Sequence, residues 1–430
     1  MPPKTPDRDG YHFDRLPGSV TVVLRPMPQM TSAALGVWVG AGGRYEPSRL
    51  SGVSHFIEHL VFKGTRTRGC EELKRAVEGV GGILNAFTAE EFTCYMAKVP
   101  SAYVSRAITV LADMVLQPAF RPRDIEKERE VILEEIRMYE DTPSQQVEDV
   151  FNQLVWPNHP LGNLLSGTLE TVRGLSRRDI VDFWQRHYHG RHILIAGAGA
   201  FEVAPLMAHL RRAFRHARPG RARRFALAPR TRCGPQTRLV QKTTEQTHIA
   251  FGTPAIPRTH PQRFALQILH ILLGANMSSR LFREVREKRG LVYEIGTQIK
   301  RYADTGAFVI SAGCDPGKLP QTLETVVAEL ARIKREPVSA AELRRAKEFF
   351  RGQWTMGLED TLEHMLMMGE QVMTVGDVSR TTELFARIER VSAEQVTEVA
   401  RELFTPRRAY LAAIGPVQEE AALIETLQRL

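Results

Sequence analysis

His55, Glu58 and His59 fall within five residues of an otherwise apolar stretch, SGVSHFIEHLVFKG, running from Ser51 to Gly64. On a helix, Glu58 lies about 60° to one side of His55 and His59 about 40° to the other, so all three share one face. Two imidazoles at i and i+4 can grip one metal ion through ring nitrogens about 2 Å from it. The carboxylate beside them is suited to take a proton from a water on that ion. A helix that only packs has no use for three such groups.

A catalytic zinc takes three protein ligands and keeps a fourth position for water. The helical stretch from Asp124 to Asp141 offers Glu126, Glu128, Glu130, Glu134 and Glu135, and Pro143 marks a stop after it. Most of these acids must form a solvated face. Glu128 and Glu135 are seven apart and lie within about 20° of each other, bordered by Val131, Ile132 and Ile136. Periodicity does not choose between them.

The elements that must position these residues come in two similar sets. SVTVVLRP and SAALGVWVG read as strands ahead of the His55 helix, and ILNAFTAEEFTCYMAKV reads as a hairpin, Ile83 to Thr88 and Phe92 to Val99. A shift of about 214 residues lays TRLVQKTTEQTHIAFGTP and RFALQILHILLG over the same pattern, which implies an internal duplication. His55, Glu58 and His59 then fall opposite Leu269, Leu272 and Leu273. Strands and helices come in blocks, so the expected fold is α+β: two homologous domains, each a sheet packed against helices. The expected boundaries are 1–214 for a metal-binding domain, 215–238 for a basic linker, and 239–430 for a second domain without the histidine motif.

The order H-x-x-E-H is that of the inverted zinc peptidases. HFIEHLVFKGT, LNAFT, EKEREVILEEI, DTPSQ, HPLG and SGTLE together resemble the pitrilysin–insulysin family of zinc peptidases, closest to its short processing-peptidase branch, over nearly the whole chain. The resemblance implies that Glu135, in the V-I-x-x-E segment, is the third ligand of one zinc ion per chain. It also implies that Glu128 supports the site from behind the ligands. SSRLFREVREKRGLVYEIGTQ resembles the family's substrate-clamping segment and assigns that role to Arg286 and Tyr293. Asn85, Ala86 and Phe87 match the edge strand on which an extended peptide pairs by β-augmentation. The expected function is that of a zinc endopeptidase with Glu58 as general base, acting on unstructured peptides inside a clam-like enclosure. The family further implies a homodimer, or a heterodimer with a related chain. The rival expectation is a non-catalytic assembly or peptide-binding subunit with a structural metal.

Composition narrows the alternatives. The chain has 430 residues and a formal net charge of +9, but RHARPGRARRFALAPRTRCGPQTR, Arg215 to Arg238, holds eight arginines and no acid. The basicity belongs to one Pro/Gly-punctuated segment and not to an aromatic-laced stripe, so a nucleic-acid partner is not expected. GAGGRY and GAGAFE lack the third glycine of a dinucleotide loop. RHYHGRH clusters His187, His189 and His192 without a companion carboxylate motif. No apolar run approaches the ~18 residues of a membrane span. Cys70, Cys94, Cys233 and Cys314 lie far apart, and the opening residues carry Asp7, Asp9 and Asp14 without an apolar core. A cytoplasmic location is expected.

Overall fold

The β-branched and apolar blocks form two sheets in the structure, a computed structural model that describes residues 10–221, 224–229, 234–417 and 420–430. The first sheet contains β1 (His12–Arg15), β2 (Thr21–Pro26), β3 (Ser32–Val39), β4 (Ile83–Thr88), β5 (Thr93–Pro100) and β6 (Ile193–Gly199). The second contains β7 (Gln236–Gln241), β8 (Thr247–Ala255), β9 (Val292–Arg301), β10 (Gly306–Cys314) and β11 (Tyr410–Gly415). Their spatial orders are β1-β2-β6-β3-β5-β4 and β7-β11-β8-β10-β9. β2 runs parallel to β6 and β7 parallel to β11, and the other neighbours are antiparallel. Apart from β1, the two orders are the same once β7 stands for β2, β8 for β3, β9 for β4, β10 for β5 and β11 for β6. The fold is therefore a duplicated α+β unit.

The central strands are apolar on both faces: β6 (ILIAGAG) is buried at every residue. Such a sheet needs cover on each side. One face of the first sheet packs on helices Val53–Val61, Val104–Leu116 and Val203–Ala213. The other is covered by helix Thr361–Val375, whose Met365, Met368 and Val372 join Trp38, Ala34, Cys94 and Ala196 in one cluster. Asp360 accepts the Leu362 and Glu363 amides at the start of that helix and pairs with Lys98 at 2.6 Å. Farther along, the Tyr11 hydroxyl meets His364 Nε2 at 2.9 Å. In the second sheet, one face packs on Arg263–Leu273, Leu319–Arg335 and Ala393–Leu403. Helix Pro143–Val155 covers its other face through Val147, Phe151 and the following Trp156, against Ala250, Ala412 and Ile414.

The two compact units thus exchange chain. One runs through Ile136, resumes over Leu164–Ala226 and takes Thr355–Arg380, and the other consists of Arg137–Asn163, Leu227–Trp354 and Thr381–Leu430. The sequence-based division at 214 and 239 differs because it assigns each covering helix to the half that encodes it. An amphipathic pattern tells that a helix has an apolar face but not which sheet that face meets. Pro143 ends one helix but also opens the next, at its first turn, where a missing N–H costs nothing. Within the expected linker 215–238, strand β7 already begins at Gln236. Arg223, Arg230, Arg232 and Cys233 lie outside the described residues, as do Asp7 and Asp9. Cys70, Cys94 and Cys314 are free thiols.

Candidate metal centre

The helix Val53–Val61 buries Val53, Phe56, Ile57, Leu60 and Val61 on one side and leaves His55, Glu58 and His59 half-buried on the other. Nine residues cannot hold a helix in isolation, so its ends must be fixed by the surroundings. Gly52 starts it at φ +92°, where a Cβ would meet the Ser166 carbonyl oxygen at 2.6 Å. Only glycine fits there. The Glu46 carboxylate, 2% exposed, accepts the Gly52 amide on Oε2 and the Ser54 amide on Oε1, each at 2.7 Å. Beyond the helix, Asp113 Oδ2 receives Thr65, Thr67 and Arg68, all at 2.7 Å, and anchors the exit loop.

The helix Pro122–Glu140 buries Ile125, Ile132, Leu133 and Ile136 together with Glu128 and Arg129. Arg129 lies over the Phe56 ring at 5.5 Å and donates to the carbonyls of Val172 and Leu175, which docks this helix beside the first. Glu126, Glu130 and Glu134 point to solvent, whereas Glu128 and Glu135 turn inward. His55 Nε2 is 3.7 Å from Glu135 Oε1 and His59 Nε2 is 3.5 Å from Glu135 Oε2. One donor atom from each of the three lies within 4.8 Å of the others. Tetrahedral donors about 2.0–2.1 Å from zinc are separated by about 3.3–3.4 Å, so two imidazoles and a carboxylate at these distances fit that ion. It is the only such group among the described residues, and the His187, His189 and His192 cluster does not form one.

Protonation favours the same outcome. His59 Nδ1 is 3.3 Å from Glu128 Oε2, and a carboxylate only accepts, so Nδ1 donates that bond and Nε2 is the ring nitrogen turned to Glu135. Lys63 holds the other Glu128 oxygen at 2.7 Å, and these partners keep the Glu128 carboxyl below its usual range despite burial. Burial, with His59 next to it, presses the His55 pKa down to about 3, so His55 is neutral and can ligate. Burial pushes Glu58 upward, opposed by a 2.6 Å hydrogen bond donated by Thr88 Oγ1 to its Oε2. That bond fixes the carboxylate beside the ligands and leaves Oε1 for a proton.

Asn85, Ala86 and Phe87 lie on β4, which is the edge of its sheet. Phe87 packs edge-on against Trp38 at 5.9 Å, so its backbone and not its ring is available to a partner. Arg286 and Tyr293 belong to the second unit. Arg286 sits in a π-helical turn, Phe282–Glu287, over both the Phe282 ring and the Tyr293 ring, at 4.6 and 5.4 Å. Tyr293 is 77% exposed and lines a cavity of about 480 Å³ with Glu148, His248, Glu294 and Thr297. Leu269, Leu272 and Leu273, opposite the histidine motif in the duplication, are buried core.

Sequence reasoning did not pick out Glu46, Thr88, Lys63, Arg129 or Asp113 as parts of this site. Each acts across a loop or between helices, so no local period marks it. Only the invitation of an unpaired buried helix start at Gly52 could have pointed to Glu46.

Residues 21–169 match the family described as insulinase, peptidase family M16, and residues 174–350 match the one described as peptidase M16 inactive domain. A protein of Streptomyces coelicolor named an uncharacterized zinc protease is 36% identical over 415 residues, covering 95% of this chain and 90% of that one. One of the same description from Bacillus subtilis is 34% identical over 397 residues, 92% of this chain and 96% of its own. The crystal structure of a protease from Helicobacter pylori shares the fold, with a TM-score of 0.89 at 22% identity, over 94% of this chain and 99% of that chain. A peptidase M16 inactive domain from Pseudomonas fluorescens does so with a TM-score of 0.86 at 17% identity, over 95% and 99%. Among the described residues no helix is long and apolar enough to cross a membrane.

Proposed function

We propose that this chain, which belongs to the insulinase family of peptidases, family M16, is a zinc metalloendopeptidase that cuts extended, unstructured peptides. The observation that carries the reading is the convergence of His55, His59 and Glu135 donor atoms within 4.8 Å, with the Glu58 carboxylate held beside them by Thr88. His55, His59 and Glu135 would hold one zinc ion per chain. Such an ion polarises a peptide carbonyl and lowers the pKa of a coordinated water towards ~7.

This chain's own residues do the rest. Glu58 removes a proton from the attacking water and delivers it to the leaving amine, and its raised pKa suits both steps. Glu128 orients His59 through Nδ1 so that Nε2 is the nitrogen presented to the metal. The edge of β4 at Asn85 to Phe87 pairs with substrate backbone, which demands an extended peptide with unpaired groups. Arg286 holds substrate backbone, and the exposed Tyr293 phenol donates to the carbonyl oxygen as it gains charge. In this reading the protein acts in the cytoplasm as a homodimer, or paired with a related chain.

The test is mass-spectrometric mapping of cuts in a mixed peptide library, with and without a chelator, by the native and Glu58→Gln proteins. Chelator-sensitive cuts that vanish in Glu58→Gln are expected. A zinc-loaded native protein that cuts nothing in any peptide would leave the non-catalytic reading in its place.

A further inference from the structure

The two imidazoles of the metal centre are not supported alike. His59 is tethered through Nδ1 to Glu128. His55 Nδ1 is buried, and among the described residues it has no hydrogen-bond partner. The direction of the His55 ring therefore depends on the backbone that carries it. That backbone is the first turn of a nine-residue helix whose cap residue, Gly52, has no side chain to close its amides. A buried helix start leaves N–H groups that water cannot reach, so another part of the chain must satisfy them.

We propose that Glu46 is a positioning residue for the zinc centre: its carboxylate, accepting the Gly52 and Ser54 amides on separate oxygens, sets the turn from which His55 projects. Ser54 directly precedes His55, so a shift of its amide moves the imidazole with it. One residue of slippage rotates a helix by about 100°, enough to take His55 off the shared face. The contact is charge-assisted on both oxygens and places an anion at the positive end of the helix. The inference rests on the zinc-binding part of the proposed function, and it concerns metal binding and not peptide hydrolysis.

The role depends on the charge state of Glu46. Burial raises its pKa to about 7, against the pull of the Ser54 and Gly52 hydrogen bonds. Above that value both oxygens accept. Below it one oxygen carries a proton and competes with the amide it had accepted. The titratable groups around it are Tyr45 beside it, which burial pushes up to about 12, and Tyr188, also pushed upward by burial. His187 and His192 lie against the Tyr45 ring, and Glu58 acts on Tyr188 from the metal-binding helix. Arg44, on the same segment, is committed to Glu91 at 2.7 Å.

The experiment measures the zinc dissociation constant by chelator competition from pH 5.5 to 8.5 for the native, Glu46→Gln and Glu46→Asp proteins. Glutamine mimics the protonated acid. At pH 8.5 the Gln variant should bind zinc about 10- to 100-fold more weakly, the usual effect of removing support behind a ligand. The ratio of the two constants should shrink towards one below about pH 6, because the native Glu46 is then protonated too. Histidine protonation weakens both proteins alike and cancels in the ratio. Glu46→Asp keeps the charge on a shorter arm and should restore part of the affinity at high pH. A ratio of one at pH 8.5, or a ratio that does not change with pH, overturns the proposal. Circular dichroism follows folding in parallel. If only the Gln variant fails to fold, partial zinc binding by the Asp variant with the same pH trend supports the role, and its absence overturns it. If neither folds, Glu46 serves the fold alone and the proposal falls. A native protein that binds zinc with this pH behaviour but cuts no peptide sinks the peptidase reading and leaves this inference standing.

Discussion

At the scale of single residues, the proposed function separates holding a metal from moving a proton. In the proposed centre His59 is one of three donors and bridges to Glu128, so His59→Ala should lose most of the zinc, measured by elemental analysis of the purified protein. Full zinc in that variant would show that His59 is not a ligand. Glu58 is held by Thr88 and is not one of the three convergent donors, so Glu58→Gln should keep its zinc while hydrolysis drops by about 10²- to 10⁴-fold, the usual cost of losing a general base. Near-normal turnover in the zinc-loaded variant would move proton transfer to another group. Glu128→Gln should be milder, with about 10- to 100-fold weaker zinc binding, since Lys63 and His59 lose their shared anion but the three ligands remain.

At the scale of elements, the helix that carries His55, Glu58 and His59 is held at its ends, and the start is the more fragile one. Gly52→Ala puts a side chain at a left-handed φ and against the Ser166 carbonyl, which should cost at least about 1–3 kcal/mol of stability. Thermal unfolding with and without zinc checks this, and an unchanged midpoint would mean that the turn can relax. In the second unit, the turn that carries Arg286 is locked by Glu284, whose pKa is drawn down to about 2 by hydrogen bonds from Lys288 and then Arg289. Because the folded value lies below the ordinary 4.5, the stabilisation is complete above about pH 4.5 and disappears as pH falls towards 2. Hydrogen exchange over residues 282–290 should therefore quicken in that acid window. Exchange that is flat with pH, after correction for its intrinsic rate, would show that the ion pairs do not hold the turn.

At the scale of the whole molecule, the exchanged helices decide what can be cut apart. A fragment of residues 1–214 keeps His55, His59 and Glu135 but lacks Thr361–Val375, so Trp38, Cys94 and Ala196 would lose their cover. An uncovered sheet face of this kind drives association. The fragment should aggregate, and a chain that joins residues 355–380 to it through a flexible linker, with a short linker in place of the other unit's residues 137–163, should be soluble and bind zinc. Size-exclusion chromatography and zinc content read the result. A monodisperse, zinc-loaded 1–214 would mean that the helix is dispensable. The joined fragment still lacks Arg286 and Tyr293, so it should cut peptides poorly, and full-length rates from it would remove the clamping role from the proposal.

That His55, Glu58 and His59 share one face was legible because the helical period alone places them together, whatever surrounds the helix. The hairpin of β4 and β5 and the duplication were legible for a similar reason: alternation and repetition are local patterns. Glu128 and Glu135 were legible as a pair on one face, but which of them meets the histidine Nε2 atoms was not, because both satisfy the same period. Packing separates them in the structure: Glu128 is spent on Lys63 and on His59 Nδ1, while Glu135 faces both Nε2 atoms. Glu46, Thr88 and Arg129 act through hydrogen bonds to partners 6, 30 and 46 residues away, where no local spacing reports a contact. The exchange of helices was hidden for the most general reason. A sequence determines that a helix has an apolar face to bury, and only the folded chain decides which sheet receives it.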